Sequence, residues 1–220
     1  ISACLVGSEM CIRDSSLTIA DKLKVTLIGD EKEKITKRHT ENLEAYNLYL
    51  QGHYFRNKKT EKGWKRSIES FQKAVEKDPE FALAHTGLAD CYLDLGWYGF
   101  LPRKDAYTRS KAEAIKALEI DDTLSEAHVS LGNIRIWLDW EWTNAEMEYK
   151  QALALNSSNA EARHMYSHLL SIIGRHKEAI QEMRQALELE PFSVIINSCL
   201  GQVLFLARRY DEAMEQLQKT

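Results

Sequence analysis

Proline and glycine are scarce, 3 and 10 of 220 residues. Proline stops a helix and glycine weakens one, so helical stretches meet few interruptions. No apolar run approaches the roughly 18 residues that mark a membrane span. Acids and bases are mixed along the chain and the net charge is −4. Nucleic-acid binding would need a clustered basic footprint, so no nucleic-acid partner is expected. Cysteine is sparse as well. Cys4 and Cys11 lie in the irregular opening "ISACLVGSEMCIRDSS", with no close Cys or His pair to complete a zinc or redox site. Cys91 and Cys199 are free thiols on the repeat register given below, three units apart and too distant for a disulfide. Free thiols suit a reducing compartment. The expected location is cytoplasmic, with a periplasmic one open if the parent protein has an upstream transmembrane helix.

Catalytic signatures are missing too. No G-x-x-x-x-G-K-[ST] or G-x-G-x-x-G phosphate cradle occurs, nor a kinase H-R-D. Acid pairs such as Asp121–Asp122 fit a helix end better than a general acid/base pair. His164 and His168, spaced i, i+4 in "HMYSH", could share one helix face and hold zinc. A metalloprotease motif would have Glu where Met165 stands, and the sequence identifies no third ligand. The two histidines are therefore read as groove-lining or packed side chains. No metal, cofactor or catalytic residue is expected, and this chain is not expected to be an enzyme.

What is present is a period. Ala145, Ala179 and Ala213 recur at steps of 34 residues, as do Tyr149, Met183 and Leu217. "SKAEAIKALEIDD" repeats the pattern one residue out of step with Ser110, Ala114 and Ala117. "SIESFQKAVEKDP" does so earlier, with Ser67, Phe71 and Ala74. Each segment follows a second pattern that pairs a large residue with a small one: Gln51–Gly52, Leu88–Ala89, Leu131–Gly132, Tyr166–Ser167 and Leu200–Gly201. Two helices of about 14 residues and their turns fill such a period. The small residues let the helices approach, and the large residue four positions on fills the groove between them. A single pair cannot bury its apolar face, so pairs must stack. Pro79 and Pro191, with Asp122 and Ser157 in equivalent slots, are expected to end the second helices. Helix pairs are expected at 43–57/62–77, 81–95/104–120, 124–138/142–155, 159–173/176–189 and 193–207/210–219.

This period and these residue classes resemble the tetratricopeptide repeat (TPR). The likeness covers residues 43–220 as about five units, the last cut inside its second helix. It implies an all-α fold, a right-handed superhelix of helix-turn-helix units. Stretches such as "GLADCYLDLGWYGFLPRKDAY" and "WLDWEWTNAEMEYKQAL" are similar to repeat arrays of bacterial multidomain signalling proteins: serine/threonine kinases, nucleotide cyclases and winged-helix regulators. The resemblance implies a scaffold for signal transduction that binds a protein or peptide in its concave groove and regulates an attached domain. The alternative is a C-terminal fragment of an enzyme whose catalytic domain lies upstream.

In such repeats the second, fifth, ninth, twelfth and thirteenth positions of each unit line the groove. Here the candidates are Tyr46, Tyr49, His53, Arg56 and Asn57 in unit one; Thr86, Asp90 and Asp94 in unit two; and Val129, Asn133, Ile136 and Trp137 in unit three. Unit four adds His164, His168 and Ser171, and unit five adds Ser198, Gln202 and Phe205. Leu83, Leu93, Glu126, Glu161, Ile172, Ile195 and Leu206 hold the remaining slots. The clamp that grips chaperone C-termini needs Lys and Asn at the fifth and ninth positions. Tyr49 and His53 stand there, so that subtype is not expected. The inserted turn "GWYGFLPRKD" carries Trp97, Tyr98, Phe100 and Leu101, which either pack over a neighbouring unit or meet a partner.

The ends depart from the period. Leu5 to Ser15 resembles one reading frame of a sequencing-library adapter, so residues 1–15 are expected to be a disordered artefact. Residues 16–42 are expected to be a helical lead-in, the end of an absent upstream module. At the other end Val203, Leu204, Met214 and Leu217 are expected to be only partly covered, an apolar face suited to self-association.

Overall fold

The computed structural model describes residues 39–219. The adapter-like stretch and residues 16–38 of the lead-in lie outside the described residues. Residues 39–42 are not helical. Asn42 instead starts the first helix, its side-chain oxygen accepting from the Glu44 and Ala45 amides.

Among the described residues there are ten α-helices, one π-helical turn and no strand. They pair as α1 (Leu43–Arg56) with α2 (Glu61–Lys77), α3 (Ala82–Trp97) with α4 (Arg103–Ile120), and α5 (Ser125–Ile134) with α6 (Trp142–Leu155). α7 (Ala160–Ile172) pairs with α8 (His176–Leu189), and α9 (Val194–Leu206) with α10 (Tyr210–Gln218). Thr60, Asn159 and Ser193 cap α2, α7 and α9 by accepting backbone N–H groups of the first turn. No described helix is long and apolar enough to cross a membrane.

The second helices end on a recurring device. Asp78, Asp121 and Asn156 each leave the helix in an extended conformation. Each accepts, through its side chain, the amide two residues on: Glu80, Thr123 and Ser158, all at 3.1 Å. These Asx turns redirect the chain into the next unit. Pro79 lies directly after the extended Asp78 and disfavours helix there, as expected; at Asp121 and Asn156 the stop comes one residue before Asp122 and Ser157.

Close helix crossings explain the small residues. A β-carbon on Gly52 would lie 2.5 Å from the Phe71 ring, and one on Gly132 would lie 2.8 Å from Tyr149. Phe71 also faces Gly87 of the next unit, where a β-carbon would lie 2.6 Å away. One ring thus holds two units together. Ala145, Ala152 and Ala179 are fully buried. Where serine replaces alanine at these crossings, its hydroxyl is satisfied by a carbonyl of the partner helix. Ser67 donates to Gly52, Ser110 to Ala89 and Ser167 to Ala179, at 2.7–2.8 Å.

Two departures from the expected pattern stand out. The extra residues of unit two lie largely in its longer helices, 16 and 18 residues against 13 and 14 in unit four. The short connection packs back. Tyr98 stacks on Trp64 at 4.9 Å, Phe100 lies 5.8 Å from the same indole, and Leu101 joins the core around Phe71. In unit three the first helix, expected to reach residue 138, changes at Arg135 into a π-helical turn that ends at Asp139. Trp140 follows in the left-handed region at φ 59°, and the Glu141 amide reaches back to the Arg135 carbonyl. Arg135 holds the widened turn by pairing with Glu141 at 2.8 Å and Glu148 at 3.1 Å.

At the C-terminal end the expectation holds for one helix only. Met214 and Leu217 are exposed, but Val203 and Leu204 are buried in the core shared by units three to five. They share a core with unit four, whereas α10 has no following helix among the described residues.

Candidate functional site: the concave groove

The first helices of successive units, α1, α3, α5, α7 and α9, each contact the next in line. The groove positions fall on these helices, and the structure sorts them into three groups.

Some are packed away. Thr86, Val129, Ile136, His164 and Ser171 are buried, so they build the floor and give a partner little surface. Thr86, Val129 and His164 are fifth positions and Ile136 and Ser171 twelfth, and the stacking of first helix on first helix accompanies the burial of both. Phe205 belongs to another face. It packs on Tyr210 at 5.5 Å and lines an open apolar hollow with Met214 and Leu217 at the end of the array.

A second group forms the N-terminal part of the groove. Arg56 reaches from α1 to α3, with Nη1 3.0 Å from Asp90 and Nε 3.1 Å from Asp94. Ser130 of α5 donates to the other Asp90 oxygen at 2.6 Å. Burial pushes the Asp94 carboxyl up to about 6, against the pull of Arg56, and the charges of Asp90 and Glu161 add to the rise. Tyr49 lies edge-on to His53 at 4.5 Å and touches Phe71 and Phe81. Its hydroxyl is pushed up by burial and then by Glu126 and other groove charges. His53 is held below its ordinary value by burial and by Arg56, which favours its neutral form. Asn133 accepts from the Tyr149 hydroxyl at 2.6 Å, and Trp137 packs edge-to-face on Trp97 at 5.0 Å. Tyr46 and Asn57 keep exposed or partly exposed surface here, as do Ser198 and Gln202 on α9 at the other end.

The third group lies in the C-terminal part. The His164 and His168 rings, one turn apart on α7, bring their Nε2 atoms to 3.1 Å. Nδ1 of His164 faces Glu161 at 3.3 Å. The third member is Cys199 on α9, and the ligand-type atoms of the three side chains lie within 4.8 Å of one another. Burial opposes charge on both Cys199 and His164. Their mutual contacts, with His168 acting on the thiol and Glu161 on the imidazole, outweigh it, lowering the thiol and raising the imidazole. Cys199 had no signal in the sequence except its place in the register, the sixth position of unit five.

Across all the groove positions stand four carboxylates, Asp90, Asp94, Glu126 and Glu161, and one guanidinium, Arg56. The groove is therefore acidic, with aromatic side chains at its N-terminal end.

Family models described as "Tetratricopeptide repeat" match residues 160–193 and 62–98. Over 150 residues, 68% of the chain, the sequence is 27% identical to the transcriptional regulator HilA of Salmonella typhimurium, spanning 27% of that protein. It is 32% identical over 133 residues, 60% of the chain, to the type IV pilus assembly protein PilF of Pseudomonas aeruginosa, spanning 52% of it. The chain thus spans from about a quarter to about half of these two relatives. A crystal structure of a thermophilic TPR protein from Thermus thermophilus superposes with a TM-score of 0.59 at 21% identity, covering 92% of this chain and 98% of the other.

Proposed function

Starting from a chain that is an array of tetratricopeptide repeats, we propose that it is a protein-interaction scaffold whose groove binds a cationic, partly apolar peptide segment or helix. The observation that carries this reading is the gathering of Asp90, Asp94, Glu126 and Glu161 on three adjacent first helices. Arg56 stands against Asp90 and Asp94, and His164 against Glu161, which leaves the set net negative. Like charges held together raise one another's cost; burial leads the upward push on Asp94, and the charges of Asp90 and Glu161 add to it. A lysine- or arginine-bearing segment relieves that cost, while Tyr46, Tyr49 and Trp137 offer faces for cations and apolar side chains.

The test is fluorescence anisotropy with labelled peptides that pair basic and aromatic residues, against charge-reversed versions. Binding should favour the basic set, weaken with salt, and fall about tenfold in Glu126→Lys. Equal or better binding of acidic peptides would sink the reading.

For the parent protein the proposed role is regulation of an attached signalling domain by the groove's occupant. The likeness of two thirds of this chain to part of a transcriptional regulator supports it. Sequence from upstream in the native gene would contradict it by encoding no signalling module. The exposed Phe205, Leu206, Tyr210, Met214 and Leu217 on α9 and α10 support a second use, self-association through that end. Sedimentation should then show a concentration-dependent mass that Leu217→Lys abolishes, and a monomer at all concentrations would refute it.

A further inference from the structure

We infer that His164, His168 and Cys199 form a three-ligand zinc site that ties α7 to α9 on the concave face. The inference is independent of the peptide reading and survives its failure.

Three observations carry it. The donor set is the first: two imidazoles and one thiol suit zinc, a borderline-soft ion that accepts both nitrogen and sulfur. Geometry is the second. Two imidazole nitrogens bound to one tetrahedral ion at about 2.0–2.1 Å stand about 3.3 Å apart. The Nε2 atoms of His164 and His168 stand 3.1 Å apart, and the Cys199 donor atom lies within 4.8 Å of both. Little side-chain movement is needed to close the site. The third is the outer partner. Glu161 accepts from Nδ1 of His164 at 3.3 Å, which keeps the proton on Nδ1 and presents the Nε2 lone pair to the centre. Metal-binding histidines are oriented by a carboxylate in this way.

Binding is a ligand exchange with no redox step. The ion takes the Nε2 lone pairs of two neutral imidazoles and the sulfur lone pair of a thiolate, and the one proton carried by the His164–Cys199 pair leaves to solvent. Three protein ligands leave the fourth position for water or for a donor carried by a groove-bound segment. Since the ligands sit on consecutive units, the ion would also hold unit five against unit four.

The experiment uses the full chain without a polyhistidine tag, stripped by chelator, with Cys4→Ser and Cys11→Ser so that the opening thiols do not contribute. Zinc is titrated in competition with a chromophoric chelator, and cobalt(II) is used as a spectroscopic probe. About one ion per chain should bind. Cobalt should give tetrahedral d–d bands and a thiolate charge-transfer band. Cys199→Ser should abolish the charge-transfer band, and Glu161→Gln should weaken zinc binding about 10- to 100-fold. A readout on the parent alone guards against variants that misfold: zinc should protect Cys199 from alkylation, measured by peptide mass spectrometry. The inference is overturned if the parent binds no zinc tightly, if Cys199 alkylates equally with and without zinc, or if folded Cys199→Ser gives the parent's cobalt spectrum.

Discussion

The two ends of the groove use equivalent positions for opposite purposes. At the N-terminal end, position nine of unit two is Asp90, and Arg56 and Ser130 satisfy it from both neighbouring units. At the C-terminal end, position nine of unit four is His168, whose close partners are His164 and Cys199. The first cluster ties three units together through one guanidinium and two carboxylates, and keeps a net negative charge. The second gathers electron-pair donors around a common point, and donors facing one another are completed by something that accepts electrons. A repeat scaffold fixes where side chains converge, and the residue types decide whether that convergence becomes a strut or a receptor.

The comparison breaks first if the frame beneath the two ends differs. Phe71, fully buried between Gly52 and Gly87, and its equivalent Met183, also fully buried, should be alike as plugs. Phe71→Ala should cost about 3–5 kcal/mol and Met183→Ala about 2–5 kcal/mol in denaturant unfolding. A negligible cost at either would mean that the units at that end do not pack as described.

The strut is tested by removing its cation. Arg56→Met leaves Asp90 and Asp94 side by side without compensation. Breaking a fully buried pair costs about 3–5 kcal/mol. These side chains are 23–31% exposed, and solvent reduces the loss to about 1–3 kcal/mol. Adding Asp90→Asn should recover part of it. A variant as stable as the parent would show that the cluster is no strut.

A smaller effect separates a simple ion pair from both clusters. His128 and Glu148 meet at 2.8 Å in unit three. Burial lowers His128, but the hydrogen bond and charge of Glu148 outweigh it and the net shift is upward. Burial raises Glu148, but His128 and Arg135 bring it down overall. The histidine's contribution is complete below its unfolded value of 6.5 and is lost as pH rises through the higher folded value. The carboxylate's contribution is complete above 4.5 and is lost as pH falls through the lower folded value. Stability from this pair should therefore be greatest between pH 4.5 and 6.5. His128→Gln should flatten the decline above pH 6.5, and an unchanged pH profile would count against the pair.

The smallest effect is expected at the receptor. Without metal, Cys199→Ser should change stability by no more than about 0.5 kcal/mol, in contrast to Arg56→Met. A loss of several kcal/mol in metal-free unfolding would make Cys199 a core residue and erase the distinction between the ends.

Much of this frame was legible in the chain because close packing leaves a periodic mark. Only glycine, alanine or serine fits where helices cross, and Ala145, Ala179 and Ala213 expose the 34-residue step directly. Helix ends were legible within a few residues for the same reason. The π-helical turn at Arg135 was not, since "RIWLD" has no residue type that distinguishes π from α winding. Groove positions could be counted, but their depth could not: Val129 and His164 are covered by neighbouring units whose spacing the repeat does not encode. Cys199 was legible only as a free thiol, because it joins the two histidines only when α9 stacks on α7, a contact between units and not within one.

The most direct test of the account is a hydrogen-exchange footprint of the chain with a basic, aromatic peptide selected by anisotropy. Protection should concentrate on α1, α3, α5 and α7, with α2, α4, α6 and α8 unchanged. Protection confined to the second helices, or to the α9–α10 end, would place the binding surface outside the groove and contradict the account.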